Sequence, residues 1–232
     1  MKKQAFPKVH GRRSSQFKAA LKRVQWRIRS SSLRVFKRGL DIFLVIPALL
    51  LLLPLFAIVS LCIYGYDRGP VFYRQKRVGS RGREFVFPKF RSMRINSDVI
   101  QKKIVLQNHH GSDSVTFKMK HDPRTTPFGR LIRRFSIDEL PQLWCVLRGD
   151  MTLVGPRPPL PSEVARYTLH DRERLIVTPG LTCIWQVNGR SKIPFPQQVQ
   201  MDIDYIHQRS FWTDIKLLGK TIPAVIFGNG AY

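Results

Sequence analysis

The fold of this chain is decided around Ser136–Gln142, which reads SIDELPQ and places two adjacent carboxylates just before an apolar pattern. Pro141 lacks a backbone N–H, so it is tolerated only in the first turn of a helix. Apolar residues then follow the i, i+3, i+4, i+7 spacing of an amphipathic helix: Leu140, Leu143, Trp144 and Leu147. The spacing predicts a helix that begins near Asp138, or one step earlier if Ser136 and Glu139 form a capping box.

The predicted helix ends at Gly149 and puts the carboxylate pair at its positive end. A carboxylate stays ionised there, and a phosphate can approach backbone N–H groups. Taken alone, Asp138 is an ordinary cap residue. Three arginines precede the pair within eight residues, and Gly155–Pro158 follows it with the sequence GPRP. Carboxylates among cations suit a divalent metal ion and a phosphorylated substrate.

Composition narrows the class of partner. The chain has 232 residues, enough for one domain and additional segments, and a formal net charge of +25. Such a charge indicates a polyanionic partner, which is nucleic acid, an anionic membrane surface or a phosphorylated substrate. Cys62, Cys145 and Cys183 are too far apart for a zinc site or a disulfide framework, so we expect a reducing compartment.

Residues 1–38 form a basic N-terminal arm without an acidic residue. Residues 1 to about 20 are polar and are predicted to be disordered. Residues 21–37 interleave apolar and basic side chains and include Trp26, a pattern typical of an amphipathic segment on anionic lipid, with an interruption expected at Ser30–Ser32. Nucleic-acid binding is the alternative for this arm.

The next segment decides against nucleic acid. Ile42–Tyr64 is an uncharged, almost wholly apolar run, which as a helix would be about 34 Å long and could cross a bilayer. It is too long and too far from the start for a signal peptide. We therefore assign residues 39–66 to a membrane helix.

Both flanks of this helix are rich in Lys and Arg, and the positive-inside rule places both on the cytoplasmic side. A re-entrant helix, which bends and returns to the same face, satisfies that rule. Pro47 and Pro54 are the candidate bend points, and Pro54 lies near the middle of the run. A plain spanning anchor with two proline kinks remains the alternative.

Residues 67–232 have the character of a soluble α+β domain that is mostly helical. Residues 71–73 and 85–87 predict a β-hairpin, since Gly79 and Gly82 lie between them. The other predicted elements are a weak strand at 115–117, a basic helix at 128–135, a solvated helical face at 171–174, a turn at 179–182, a strand at 184–187, a helix from Pro196 and an apolar segment at 212–227. That last segment lies either at the membrane surface or in the core.

These motifs identify the chain as resembling the bacterial sugar transferase family, the monotopic polyprenyl-phosphate phosphoglycosyl transferases. Each motif is weak alone, and their order is specific. They are Lys37-Arg38 with Asp41, Gly69–Phe72 with Gln75, Arg77, Val78 and Gly79, Lys89–Met93, Ser136–Trp144, Arg148–Met151, Gly155–Pro158, Pro179–Thr182, Trp185–Val187 with Gly189 and Arg190, and Asp214–Lys216.

The resemblance implies transfer of a sugar 1-phosphate from a UDP-sugar to a polyprenyl (undecaprenyl) phosphate with release of UMP, on the cytoplasmic face of the bacterial inner membrane. Asp138 would be the nucleophile and form a phosphosugar-aspartate intermediate. Mg²⁺ would be held by Asp138 and Glu139. Contacts to phosphate and nucleotide would come from Arg133, Arg157, Pro156, Pro158, Lys89 and Arg91. A re-entrant helix bent at the central proline, here Pro54, and interfacial amphipathic helices also belong to the family.

The sequence departs from the family pattern at three positions. Leu53 stands where Ser is common before the central proline, Cys145 where Asn is usual, and Cys183 where Gly is usual. The sugar, the acceptor's chain length, the pathway (capsule, O-antigen, exopolysaccharide or glycoprotein glycan) and homodimer formation stay open. Two other functions compete with this one: an inactive membrane adaptor of the same fold, and a membrane-tethered nucleic-acid-binding protein.

Overall fold

A computed structural model describes residues 10–95, 97, 122–189 and 192–227, with side-chain surroundings given from residue 35 to residue 225. The chain begins with α1 (His10–Asp67), a continuous helix that includes both Pro47 and Pro54. It includes residues 10–20, the described part of the stretch expected to be disordered, and continues through Ser30–Ser32 without interruption. Lys, Arg, Gln and Ala are good helix formers and favour this continuation. Val35–Asp67 is long and apolar enough to cross a membrane.

The predicted hairpin is confirmed and is longer than the sequence indicated. Strands β1 (Phe72–Val78) and β2 (Glu84–Phe90) pair antiparallel, with Gln75 opposite Phe87. A 3₁₀ turn, Ser80–Gly82, joins them, and Gly82 has φ +80°, which glycine adopts at little cost. Side chains alternate between the two faces of a strand, so Phe85 and Phe87 enter the core and Lys89 follows on their side.

The basic helix is also confirmed, as α2 (Pro127–Arg134), capped by the Thr126 hydroxyl, which accepts a hydrogen bond from Gly129 N at 2.8 Å. After it, Ile137–Gln142 forms a 3₁₀ helix that leads into α3 (Leu143–Arg148), which Gly149 ends with φ +86°. The capping prediction is wrong. Ser136 is the N-cap but has φ +55° and makes no side-chain cap bond.

The segment after Gly149 forms a second small sheet. Strands β3 (Thr152–Val154) and β4 (Gly180–Thr182) pair in parallel, so the turn predicted at 179–182 is in fact a strand. The strands approach closely at two glycines, since a Cβ on Gly180 would lie 2.0 Å from Gly155 N. Between them lie α4 (Pro161–Val164) and a 3₁₀ helix, Asp171–Leu175, in which Arg174 is buried rather than solvated.

Three helices complete the chain: α5 (Ile184–Asn188), α6 (Phe195–Gln208) and α7 (Phe211–Phe227). The helix predicted from Pro196 is confirmed. The strand predicted at 184–187 is wrong, because a short apolar run fits a buried helical turn as well as a strand. In α7 one face joins the core through Leu217, while Trp212 and Ile222 are exposed. The weak strand predicted at 115–117 lies outside the described residues.

Helix α1 contributes to both hydrophobic clusters of the domain. Val45 is fully buried in the main cluster, which includes Phe87 and Val154. Val59 and Ile63, further along α1, pack with Phe90 and Ile132 in the second cluster. Helix α1 therefore lies against the domain over much of its apolar length, while its other face is exposed at ten or more large apolar and aromatic side chains.

Candidate active site

A cavity of about 750 Å³ opens beside the 3₁₀ helix that carries the carboxylate pair. The hairpin, β4, α5 and α7 form its other walls. It brings together most of the site residues predicted from sequence: Lys89, Arg91, Arg133, Asp138, Glu139, Arg157 and Pro158. Pro156 is buried behind this wall and does not line the cavity. Residues from distant parts of the sequence thus meet around Asp138 and Glu139.

Glu139 is held between two cations. Lys89 Nζ donates to Oε1 at 2.7 Å, and the Arg157 guanidinium donates to Oε1 at 2.6 Å and to Oε2 at 3.2 Å. Burial opposes ionisation, yet the charges of Arg157 and Lys89 hold the pKa of Glu139 well below its usual value. Glu139 is therefore a permanent anion, and it fixes the positions of both cations.

Asp138, unlike Glu139, is not bound by the neighbouring cations. Its side chain is buried, and no group among the described residues donates a hydrogen bond to its carboxylate. Burial raises its pKa to about 6, Lys89 lowers it, Glu139 raises it, and Arg133 and Arg157 lower it. The two neighbouring carboxylates thus differ in role, because one is bound by cations and the other has oxygens that face the cavity without a hydrogen-bond partner.

Phe87 supports two of the cations that line the cavity. The Lys89 ammonium lies 5.4 Å from the centre of the buried ring and the Arg77 guanidinium 5.2 Å from it, both within cation–π range. Arg77 is oriented by Gln75 Oε1 and by the Pro158 carbonyl, to which it donates at 3.0 Å. Sequence reasoning did not assign Arg77 to the site. Arg77 follows Gln75 by two residues on β1, and strand alternation places two such residues on the same face.

The two other predicted cations are each bound by a residue outside the carboxylate pair. Arg133 donates to Thr125 Oγ1 at 3.2 Å and lies close enough to lower the pKa of Asp138. Arg91 forms an ion pair with Asp67, the last residue of α1, and lines the cavity. Arg91 therefore connects the wall of the cavity to the end of α1.

The far wall holds a buried charge pair that sequence reasoning missed. Arg174 is paired with Asp202 of α6 and donates to the Tyr167 hydroxyl at 3.2 Å. Burial raises the pKa of Asp202 to about 6, against the effect of Arg174. Tyr167, Trp185 and Arg174 all line the cavity. No local pattern marks this pair, because its partners are 28 positions apart.

The two unusual cysteines are buried, and their surroundings favour the protonated thiol. The Cys145 thiol donates to the Val86 carbonyl at 3.4 Å, and the Cys183 thiol to Gln186 Oε1 at 3.1 Å. Burial raises the pKa of both thiols, that of Cys145 to about 11. Neither contacts Asp138 or Glu139, as the sequence indicated, although Cys183 lies near Arg157.

The carboxylate pair suits a magnesium ion that is bound partly by the protein and partly by substrate phosphates and water. Within the described ranges no group of three or more His, Cys, Asp and Glu side chains could hold a metal ion. Mg²⁺ is commonly bound by one or two carboxylates together with substrate phosphates and water. Asp138, with no hydrogen bond to its oxygens, and the adjacent Glu139 match that donor set.

The comparison with known proteins agrees with these observations. Residues 32–228 match the family model for the bacterial sugar transferase, and the chain belongs to that family. It is 45% identical over 166 residues to the galactosyl transferase CpsE of Streptococcus agalactiae, covering 71% of this chain and 36% of the relative. It is 39% identical over 214 residues to an undecaprenyl-phosphate galactose phosphotransferase of Salmonella typhimurium, covering 91% of this chain and 45% of the relative.

A third relative is similar in length. The exopolysaccharide production protein ExoY of Sinorhizobium fredii is 36% identical over 200 residues, covering 85% of this chain and 88% of the relative. This chain thus spans less than half the length of the first two relatives and most of the third.

Proposed function

We propose that this chain transfers a sugar 1-phosphate from a UDP-sugar to a polyprenyl phosphate at a membrane surface, with release of UMP, and so begins the synthesis of a cell-surface polysaccharide or glycoconjugate. The observation that carries the proposal is the pair of unlike carboxylates in one cavity. Within the described part of the chain Asp138 has no hydrogen-bond partner, and Glu139 is bound by Lys89 and Arg157. The relative named as an undecaprenyl-phosphate galactose phosphotransferase supports the same reaction.

In the first step an Asp138 oxygen attacks the phosphorus that carries the sugar. A new bond forms between that oxygen and phosphorus, and the bond from phosphorus to the bridging oxygen of the diphosphate breaks. UMP leaves with the bonding electron pair, and the sugar phosphate remains on Asp138 as an acyl phosphate. A covalent intermediate divides one difficult displacement into two easier ones.

In the second step a phosphate oxygen of the lipid attacks the same phosphorus. The bond to Asp138 breaks, the carboxylate is restored, and the product is a polyprenyl diphosphate sugar. Neither step requires a proton transfer. The protein's task is to orient the reactants and to balance the charge that builds up on the phosphoryl oxygens.

The described cations suit that task. Arg133, Lys89 and Arg157 surround Asp138, and Arg77 stands behind them on the ring of Phe87. Glu139 keeps Lys89 and Arg157 in place when the cavity is empty, which preorganises the site. A magnesium ion on Asp138 and Glu139 would supply further neutralisation of the diphosphate charge.

We also propose that α1 is re-entrant and that the protein is monotopic. Just before the apolar part of α1, Lys37 binds Asp214 of the domain, and at the end of α1 Asp67 binds Arg91 of the same domain. These two points are about 45 Å apart along a straight helix, which exceeds the roughly 30 Å of a hydrocarbon core. A spanning helix would carry them to opposite faces of the membrane, whereas one domain on one face contacts both. The bend expected at Pro54 is consistent with this placement.

Cysteine labelling tests the topology. In a variant that carries Cys62→Ala, single cysteines at Val35 and at Tyr66, both exposed, should react with a membrane-impermeant maleimide only after the inner membrane is opened. Cys145 and Cys183 are buried and give the low background that the assay needs. Labelling of either position from the periplasm of intact spheroplasts would contradict the re-entrant arrangement.

Release of UMP tests the reaction itself. Membranes containing the protein would be incubated with a panel of UDP-sugars, with and without undecaprenyl phosphate and magnesium. We expect sustained release only with donor, acceptor and metal together, and a burst of one UMP per protein when the acceptor is left out. Absence of release with every donor would favour an inactive membrane adaptor, and salt-sensitive binding to DNA or RNA would favour the nucleic-acid alternative.

The pH dependence of the burst follows from the state of Asp138. Only its ionised form attacks phosphorus, and its pKa is about 6. With Mg²⁺ held at a low, limiting concentration, the burst rate at low donor concentration should therefore rise about tenfold per pH unit below pH 6 and level off above it. Saturating Mg²⁺ should move this limb to lower pH, since a cation on the carboxylate favours its ionised form. The acceptor-free reaction is the right measurement, because a phosphate monoester also titrates near pH 6. A flat profile between pH 5 and 7 would contradict the assignment.

A further inference from the structure

Three residues at the start of the membrane helix contact the catalytic domain from one side of α1. Lys37, Arg38 and Asp41 are spaced i, i+1 and i+4, so they lie within one turn, directly before the apolar run. None of them lines the cavity. Each nevertheless contacts a segment that leads into the site.

Lys37 and Asp41 both hold β3. The Lys37 ammonium donates to the Val154 carbonyl at 2.6 Å and also binds Asp214 of α7. Asp41 is 4% exposed, and its two oxygens accept from the Thr152 hydroxyl at 2.6 Å and from Leu153 N at 3.1 Å. Every residue of the strand is therefore bonded to α1.

Tyr205 closes this network from α6. Its hydroxyl lies 2.9 Å from Lys37 Nζ, 3.1 Å from the Val154 carbonyl and 2.7 Å from Asp214 Oδ1. The network joins the membrane helix to two later helices as well as to β3. Buried polar groups that are all satisfied in this way favour a single arrangement of the parts they connect.

Arg38 holds the other segment. Its guanidinium donates to the carbonyls of Val146 and Leu147, in the last turn of α3. The Val146 carbonyl also accepts from Gly149 N at 3.1 Å, and a cation at this end of a helix interacts favourably with the helix dipole. Helix α3 follows the 3₁₀ helix of Asp138 and Glu139 without a break.

The two segments that α1 holds, β3 and α3, lie next to the active-site residues in the sequence. Arg157 comes three residues after Val154, and the carboxylate pair precedes α3 by four residues. The two segments meet in the site through the bonds from Arg157 to Glu139. A displacement of β3 relative to α3 would thus separate these two side chains.

We propose that Lys37, Arg38 and Asp41 form a clamp that couples the seating of the membrane helix to the geometry of the active site. The three are positioning residues, since they act through Arg157 and the carboxylate segment and do not touch substrate. The kinetic test of this inference rests on the proposed function. The hydrogen-exchange test rests only on the contacts described above. A seated α1 holds β3 and α3 in register, and an unseated α1 releases both.

The first test is Lys37→Met in the full-length protein in membranes, with Lys76→Met as the control. Both substitutions remove one positive charge, and Lys76 is an exposed residue of β1 that contacts only Glu84 at 3.4 Å. We expect Lys37→Met to lower kcat by about 10²-fold with KM within threefold of wild type, since a displacement of about 1 Å costs this much. The control should match wild type, and Lys37→Arg should recover part of the loss.

The pH profile separates positioning from simple loss of protein. Arg157 lowers the pKa of Asp138, so its displacement should move the acidic limb of the burst to higher pH in Lys37→Met. A lower rate with an unchanged limb, or wild-type kinetics in a folded variant, would overturn the proposal. If Lys37→Met fails to fold, Asp41→Asn gives the same comparison with the bonds of Lys37 intact.

Hydrogen exchange provides a readout that needs no catalysis. In Lys37→Met, and more strongly in Asp41→Asn, amide exchange across residues 152–158 should be at least tenfold faster than in wild type, while exchange in the hairpin stays unchanged. Unaltered exchange at 152–158 would overturn the clamp even if the protein is active. A wild type that releases no UMP but shows this pattern would instead refute the proposed function and leave the clamp supported.

Discussion

Asp138→Asn should abolish UMP release, with and without acceptor, by roughly 10⁴-fold or more, the order of loss seen when a catalytic nucleophile is removed. The amide keeps the size of the side chain but cannot form an acyl phosphate. The acceptor-free burst is the informative measurement, because it isolates the step in which Asp138 attacks. A burst of normal size would overturn the nucleophile assignment whatever happens to steady-state turnover.

The same substitution should make the protein more stable at pH 7.5. Burial raises the pKa of Asp138 from 3.8 to about 6, so the folded state disfavours the charged carboxylate. At a pH above both values the ionised group destabilises the fold, and a neutral amide removes that cost. We expect a higher Tm by at least about 2 °C. Asp204→Asn, at an exposed position of α6, is the matched control and should change neither activity nor Tm. A lower Tm in Asp138→Asn would mean that the lost activity is a folding defect.

Local pattern was sufficient for part of this structure. The hairpin followed from alternation and glycine, α2 from a basic helical period, and the end of α3 from Gly149. The motif order also led to the residues that line the cavity, including Arg133 and Arg157. The secondary-structure features depend on neighbours within a few positions. The site residues followed from the family resemblance, in which residues distant in sequence are already known to share one site.

The failures depend on contacts that are distant in sequence. Ser136 and Glu139 have the spacing of a capping box, but Glu139 binds Arg157, 18 positions away, and Lys89, 50 positions away. Two charge-assisted bonds are stronger than one bond to a backbone N–H. In the same way Arg174 is an ordinary charged residue in its local sequence, and only Asp202 makes its burial favourable.

The structure divides the positive charges of the protein into those around the cavity and those on the exposed surface. Sequence composition indicated a polyanionic partner and could not separate lipid from substrate. The structure places Lys89, Arg133 and Arg157 around one cavity and leaves others exposed, such as Lys76 on the hairpin. These half-buried cations are held by Glu139 or by Thr125, so they are ordered before a substrate arrives. The exposed ones suit long-range attraction to an anionic surface.

Glu139→Gln should also remove most of the activity, by roughly 10³-fold, because it removes the anion that preorganises Lys89 and Arg157. Its effect on stability should have the opposite sign from that of Asp138→Asn. The pKa of Glu139 is held well below its usual value, so the folded state favours its charged form. Loss of that charge leaves two half-buried cations without their partner, and we expect a loss of roughly 2–4 kcal/mol in the free energy of unfolding.

The pH profile of the residual burst in Glu139→Gln completes the test. Glu139 raises the pKa of Asp138, and the released Lys89 and Arg157 lower it, so the acidic limb should move below pH 6. This direction is opposite to the one expected for Lys37→Met, which makes the two variants a matched pair. Glu84→Gln, at an exposed position of β2, is the control for a lost carboxylate. Full activity with an unchanged Tm in Glu139→Gln would show that Lys89 and Arg157 keep their positions without this anion, and the preorganised site would have to be abandoned.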